Sequence, residues 1–216
     1  VGSNMFSLAI LIGIYSYLIF SLGLLGFLYK QNIFSLSFVF LIAVLLFTRK
    51  KINVYKFGNE IINFLKKTSR YGLVFLLILI LQSLVNFIGV LGPELGFDAL
   101  WYHLTFPKLY LQNHEISYIP GSLFYYSTMP RLTEMLYTTG LAFGNEIAVK
   151  FIHFAFGILS IVALYNVSLK FLSKNSSLLV ATIFYSNLVV GWLSISAYID
   201  LARTFFEIMA LWGFFN

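Results

Sequence analysis

Long stretches without a charged side chain constrain the fold of this chain most strongly. Four of them cover residues 5–29, 71–92, 151–169 and 177–199, and none contains Asp, Glu, Lys or Arg. A helix needs about 20 mostly apolar residues to cross the hydrocarbon core of a bilayer. Because 60% of the residues are hydrophobic and only 10% are charged, the chain has too little charge to cover the surface of a soluble domain. It is predicted to be an all-α membrane protein.

The predicted architecture is a polytopic transmembrane helical bundle with extracytoplasmic juxtamembrane helices. We expect a single transmembrane domain over residues 1–216, in which residues 93–145 form an extracytoplasmic loop with interfacial helices. The last apolar run stops in mid-pattern at Asn216, so we expect the domain to be truncated at its C-terminus. The predicted spans are 5–29, 31–48, 71–92, 146–169, 177–199 and 204–216.

The distribution of basic residues predicts the orientation of these spans. A polar loop between the second and third spans carries seven Lys and Arg residues but one acid, Glu60, and loops of this kind lie in the cytoplasm. The N-terminus is then cytoplasmic in the plasma (inner) membrane, as are Lys170 and Lys174, whereas Asp98 and Asp200 share the extracytoplasmic side. The basic residues of this loop are Arg49, Lys50, Lys51, Lys56, Lys66, Lys67 and Arg70.

The net charge of +6 is mostly this orientation signal. The basic residues are not interleaved with a soluble recognition fold, so membrane lipids are expected partners and nucleic acid is not. The chain contains no cysteine, which excludes disulfides and thiolate metal ligands.

Chemistry is expected in the acidic, aromatic segment GPELGFDALWYHLTFPKLYLQNHEISYIP, residues 92–120. Five of the eight acids and two of the three histidines lie between residues 93 and 146. Asp98 is the first candidate and has two interpretations. It can cap the N-terminus of a short helix, or it can act as a general base at the membrane boundary, partly desolvated by Phe97, Trp101 and Phe106. Tyr102 lies one helical turn further on, and the adjacent His103 is a second candidate ligand of a substrate.

The remaining candidates also have a structural alternative each. Lys108 and Arg131 can anchor to lipid headgroups or bind a substrate phosphate. Glu134 opens a predicted interfacial helix, where the helix dipole favours an acid, and Asp200 can pair with Arg203 three residues later. His153 lies inside a predicted span and is either functional or a satisfied core histidine. A divalent metal is not supported, because no recognised ligand spacing organises His103, His114, Glu115 and Glu134.

Several motifs, in order, resemble one family. They are FDALWYHLTFPKLYLQNHEI with its Asp at the start of a juxtamembrane helix, MPRLTEMLY, which opens a second such helix, the span GNEIAVKFIHFAFGILSIVALYNVSLKFL, and SAYIDLARTFF. Over roughly residues 71–212 the chain resembles the GT-C membrane glycosyltransferases, in the branch of protein O-mannosyltransferases and lipid A aminoarabinose transferases. It departs from that branch in having no Asp-Glu pair at Asp98 and no Lys-Pro-Pro-Leu motif, and residues 5–48 form an additional hairpin.

The resemblance implies transfer of a sugar from a polyprenyl-phosphate donor to an acceptor hydroxyl outside the cytoplasm, with inversion. It maps the catalytic base onto Asp98, the second-loop acid onto Asp200, and the lining of the acceptor cavity onto Glu134. The acceptor is a lipid, a glycan or a protein. No cofactor is expected, and further phosphate-binding residues are expected beyond Asn216, so this part alone is expected to be inactive.

Two other classes remain open. A transporter or lipid flippase would use the same acids to line a gated cavity, although it would favour spans broken by Gly or Pro, with charges at mid-membrane depth. The four prolines all lie between residues 93 and 130, outside the spans. A non-catalytic membrane assembly subunit is the other alternative.

Overall fold

A computed structural model describes residues 2–48, 54–129 and 131–215 of the chain. Residues 49–51, which supply three basic side chains of the predicted cytoplasmic loop, lie outside the described residues, as does Pro130. The described residues form helices and turns and contain no β-strand. The all-α prediction is confirmed for this part of the chain.

The described residues form ten α-helices and two short helices of other types. A π-helical turn covers Ala99–His103, and a 3-10 helix covers Ser122–Thr128. The α-helices are α1 Gly2–Leu24, α2 Lys30–Thr48, α3 Val54–Lys66, α4 Arg70–Val90, α5 Thr105–Asn113, α6 Leu132–Phe143, α7 Glu146–Ser168, α8 Lys174–Tyr185, α9 Leu188–Leu193 and α10 Asp200–Phe214.

Three helices among the described residues are long and apolar enough to cross a membrane. They are Asn4–Leu24 within α1, α4 and α7, whereas the apolar stretch Lys30–Leu46 of α2 is shorter. Helix α4 leaves Leu84, Val85 and Ile88 exposed, as lipid-facing side chains are. These helices indicate a membrane protein.

Polar side chains set where several of these helices begin. The hydroxyl of Ser69 accepts the amide of Gly72 at the start of α4. The side chain of Asn145 accepts amides in the first turn of α7, and Ser173 caps α8 in the same way. Each cap satisfies an amide that has no partner inside the helix.

The predicted continuous helix over residues 177–199 is wrong. Helix α8 ends at Tyr185, and α9 begins after Asn187, whose side chain accepts the amide of Val189. After α9 the chain turns and starts α10 at Asp200, four residues before the predicted span 204–216. Short polar side chains such as Asn offer the backbone an alternative to a continuous helix, and a run of uncharged residues does not reveal such a break.

The predicted polar loop between the second and third spans contains a helix, α3. Its residues Ile61, Ile62 and Leu65 are exposed and apolar. The ammonium group of Lys174, at the start of α8, donates to the carbonyl of Phe64 at 2.8 Å and lies 3.8 Å from the centre of that ring. A Cβ atom on Gly72, in the first turn of α4, would lie 2.7 Å from the Asn175 side chain of α8. The end of α3 and the starts of α4 and α8 therefore lie together at one end of the helices, with basic residues around them.

Helix α7 lies at the centre and packs against α4, α6, α8 and α10. Phe156 of α7 packs with Leu201 and Phe205 of α10 and with Ala9 of α1 in one buried cluster. The 21 residues of α4 rise about 30 Å, so the segment after Val90 lies far from the basic end.

Candidate functional site

A cavity of about 420 Å³ lies beyond the C-terminal end of α4. Its walls come from the turn around Ala99–His103, from the start of α6, and from α9 with the turn that leads to α10. Six of the seven predicted site residues line it, namely Asp98, Tyr102, His103, Arg131, Glu134 and Asp200. The first and the last of these residues, Asp98 and Asp200, are 102 positions apart in the sequence, so it is the fold that brings them together.

Asp98 does not cap the helix that follows it, because its side chain makes no capping hydrogen bond. The hydroxyl of Tyr102 lies beside its carboxylate. Burial, and then the charge of Asp98, raise the pKa of Tyr102, so this hydroxyl keeps its proton and acts as a donor. Of the aromatic residues predicted to desolvate Asp98, Phe97 is 71% exposed, and Phe106 packs elsewhere, against Arg131.

The π-helical turn explains how these side chains reach the cavity. The amide of Leu104 donates to the carbonyl of Ala99 at 2.9 Å, which is an i to i+5 bond that widens the helix by one residue. Such turns occur often at functional sites. The turn places Tyr102 and the buried His103 on the cavity side while Leu100 remains exposed.

His103 and Glu134 form a buried pair. The Nδ1 atom of His103 lies 2.9 Å from Oε1 of Glu134, and both side chains are almost fully buried. A carboxylate accepts, so Nδ1 carries the proton and Nε2 is the nitrogen available to a bound molecule. The pair joins the turn after Asp98 to the first turn of α6, so Glu134 does more than favour the helix dipole.

Arg131 precedes α6 and is only 6% exposed. Its guanidinium carbon lies 4.0 Å from the centre of the Phe106 ring, in a cation–π contact. Burial lowers the pKa of Arg131, and the neighbouring Tyr110 and Glu134 partly offset that effect. An arginine remains protonated at neutral pH even so. The site therefore holds a buried positive charge beside its carboxylates.

Asp200 begins α10 and is exposed at the cavity wall. The predicted pairing of Asp200 with Arg203 is wrong, because the Nε atom of Arg203 donates to Glu207 at 2.7 Å. Asp200 is left facing the same cavity as Asp98.

Lys108 is not part of this cavity. It is exposed on α5 and lines a separate cleft with Gln112, Asn145 and Glu146. Lys108 belongs to the same segment of the sequence as Asp98. Its position on α5 nevertheless directs its side chain away from the cavity that Asp98 and Arg131 line. It does not join the predicted substrate-binding residues.

Glu94, which is not among the predicted site residues, holds two sides of the cavity together. Oε1 of Glu94 accepts the amides of Leu95 and Gly96, and Oε2 accepts the amide of Ala197 at 2.6 Å. The carboxylate thus ties the turn before Asp98 to the turn before Asp200. Gly96 permits this approach, because a Cβ atom there would lie 2.7 Å from the Tyr198 ring.

Two buried basic side chains of α7 also hold the segments around the cavity in place. The ammonium group of Lys150 donates to the carbonyls of Gly92 and Pro93 at 2.8 and 3.2 Å. His153 is a satisfied core histidine, since its Nδ1 lies 2.7 Å from the Ser196 carbonyl and its Nε2 accepts the amide of Leu201. A basic residue inside an apolar helix was the signal available for Lys150.

A contact between Tyr137 and Tyr198 holds α6 against the turn before α10. The hydroxyl of the buried Tyr137, in α6, donates to the carbonyl of Tyr198. The hydroxyl of Tyr198 lies beside the main chain of Asp98. Tyr198 therefore connects α6, the Asp98 turn and the turn before α10, and it lines the cavity itself.

Comparison of the chain with protein-family models, with curated proteins and with solved structures finds no match. Within residues 2–48, 54–129 and 131–215, no three His, Asp or Glu side chains are grouped so that they could hold a metal ion. The polar groups that line the cavity include carboxylates, an imidazole and a guanidinium.

Proposed function

We propose that this chain is a polytopic membrane glycosyltransferase, which transfers a hexosyl or pentosyl group from a polyprenyl-phosphate donor to an acceptor hydroxyl. The observation that supports this function is the shared cavity of Asp98, Arg131 and Asp200. A carboxylate beside a buried cation provides a proton acceptor and a group that offsets the charge of a departing phosphate. The order of motifs that resemble the GT-C enzymes supports the same reaction.

In the proposed reaction the carboxylate of Asp98 takes the proton of the acceptor hydroxyl. The acceptor oxygen forms a bond to the anomeric carbon while the bond from that carbon to the phosphate oxygen breaks. The polyprenyl phosphate leaves with the electron pair, and the configuration at the anomeric carbon inverts. Arg131 stabilises the negative charge on the leaving phosphate, Tyr102 orients Asp98, and His103, Glu134 and Asp200 bind the sugar or the acceptor.

We place this reaction on the extracytoplasmic side. The basic residues around the starts of α4 and α8 lie at the other end of the helices, which the positive-inside rule assigns to the cytoplasm. Because the chain contains no cysteine, single substitutions test this topology. Glu115→Cys is expected to react with an impermeant thiol reagent in intact cells, and Lys67→Cys only after permeabilisation; both side chains are exposed. The reverse pattern would contradict the orientation.

The function itself is tested by supplying labelled polyprenyl-phosphate sugars to membranes that contain the full-length reading frame. Transfer of label to a lipid, glycan or protein fraction is expected with at least one donor, above membranes without the protein. A panel of hexose and pentose donors identifies the sugar. Absence of transfer with every donor, at normal expression, would contradict a glycosyltransferase.

One observation favours a transporter or flippase as the second candidate. The break between α8 and α9 at Ser186 and Asn187 resembles the discontinuous helices that line transport sites. A transporter would move lipid or substrate across the bilayer without consuming a sugar donor. Donor-independent flipping, with no transfer product, would favour this second function.

A further inference from the structure

Helix α3 has an apolar side that remains accessible. Its apolar residues recur at intervals of three and four, which places them on one side of a helix, and polar residues follow the same spacing on the opposite side. The apolar positions are Val54, Phe57, Ile61 and Leu65, and the polar positions are Lys56, Asn59, Asn63 and Lys66. Ile61 and Leu65 are 45% and 40% exposed, so the described chain does not cover this part of the apolar side.

Contacts near the C-terminus of α3 hold the helix in place. The ring of Phe64 meets the ring of Tyr165, in α7, edge to face with 6.2 Å between their centres. The hydroxyl of Thr68, just beyond the helix, donates to the carbonyl of Phe64. Among the described residues no other helix packs along the length of α3. The helix is therefore attached near one end, and its apolar side faces away from the protein.

Helix α3 adjoins surfaces that face lipid. Helix α4, which is long and apolar enough to cross a membrane, begins four residues after Lys66. Its first turns expose Tyr71 and Val74, and the turn between α7 and α8 exposes Phe171. A helix with one apolar and one polar side at such a boundary lies in the plane of the interface, with its apolar side at the edge of the acyl region.

The charge around α3 indicates which lipids it would meet. Lys66, Lys67 and Arg70 are exposed, and none of them forms a salt bridge within the described part of the chain. Clusters of cations beside an apolar helix face attract anionic headgroups. Two copies of the chain that met through α3 would instead bring the same cations together. A bilayer with anionic lipid therefore matches both the apolar side and the charge, whereas a second copy does not.

We propose that α3 lies in the membrane interface at the basic end of the helices, with Ile61 and Leu65 in the acyl region and Lys66, Lys67 and Arg70 against anionic headgroups. Helix α3 thereby fixes the level at which α4 enters the bilayer. This anchor lies at the end opposite the Asp98 cavity, so it goes beyond the proposed reaction and does not depend on it.

The depth of α3 is measured with spin labels on the full-length protein, in an otherwise cysteine-free background and in nanodiscs that contain phosphatidylglycerol. Ile61→Cys and Leu65→Cys carry the label on the apolar side, and Asn59→Cys and Asn63→Cys are the matched controls on the polar side. Labels at 61 and 65 are expected to collide mainly with oxygen, which concentrates in lipid. Labels at 59 and 63 are expected to collide mainly with a water-soluble nickel chelate.

The preference for anionic headgroups is measured with a fluorophore on Ile61→Cys. Its quenching by doxyl-labelled phosphatidylglycerol is compared with quenching by doxyl-labelled phosphatidylcholine, and phosphatidylglycerol is expected to quench more strongly. Adding Lys67→Gln is expected to lower this preference by about fivefold, the contribution of one cation near an anionic surface. Adding Lys108→Gln, which removes an exposed cation on α5, is expected to leave the preference unchanged.

Three results would overturn the proposal. Collision mainly with the nickel chelate at all four positions would place the apolar side in water. Labels at 61 and 65 that are shielded from both reagents would show that protein covers this side, and spin–spin broadening would identify that protein as a second copy. Equal quenching by the two lipids, or a loss of preference as large in Lys108→Gln as in Lys67→Gln, would contradict the contact with anionic headgroups.

Discussion

Replacing Asp98 by Asn is expected to lower sugar transfer by about 10²- to 10⁴-fold, the range that loss of a general base produces. The amide keeps the size of the side chain beside Tyr102, but it cannot take the proton of the acceptor hydroxyl. Because Asp98 makes no capping hydrogen bond, the substitution leaves the following helix intact. The measurement is the initial rate of transfer at equal protein level.

The matched control is Glu115→Gln, which also changes an acid to its amide in the same segment but at an exposed position outside the cavity. It is expected to retain the full rate. An Asp98→Asn protein that binds polyprenyl phosphate normally and transfers sugar as fast as the control would remove Asp98 from the mechanism. Donor binding separates this result from a defect in folding.

Much of the helical frame follows from hydrophobic runs and charge alone. The runs that predict spans at 71–92 and 146–169 agree with α4 and α7 to within two residues at each end. The break inside 177–199 could not be predicted in the same way, because it depends on one Asn side chain that caps α9. Helix α3 was missed because its apolar residues are interspersed with polar and charged ones, whereas the predicted spans rest on long uncharged runs.

Most residues that line the cavity were predicted from the sequence. Which of them contact each other was not. The shared side of Asp98 and Asp200 followed from counting spans, and the structure places both in one cavity. The pair between His103 and Glu134 joins residues 31 positions apart, and no local pattern encodes such a distance. Lys108 and Arg131 look alike in sequence, but α5 directs the first outward while the second is buried over Phe106.

Replacing Glu94 by Gln is expected to destabilise the protein and to reduce transfer at the same time. Its two carboxylate oxygens accept three backbone amides, from Leu95, Gly96 and Ala197. A glutamine has one acceptor oxygen, and its NH₂ group would face an amide donor, which leaves a buried N–H without a partner. Such a loss costs about 1–3 kcal/mol, which corresponds to a melting temperature lower by roughly 5 °C for a domain of this size.

The effect on transfer follows from the position of Glu94 between the two acids. It holds the turn before Asp98 against the turn before Asp200, and its charge also acts on the buried Lys150. If this link orders the cavity, Glu94→Gln loses at least tenfold in transfer at a temperature where the protein remains folded, because small displacements of reacting groups reduce rates strongly. A lower melting temperature with an unchanged rate would limit Glu94 to stability. An unchanged melting temperature would contradict the link itself, since the buried amides would then have found other partners.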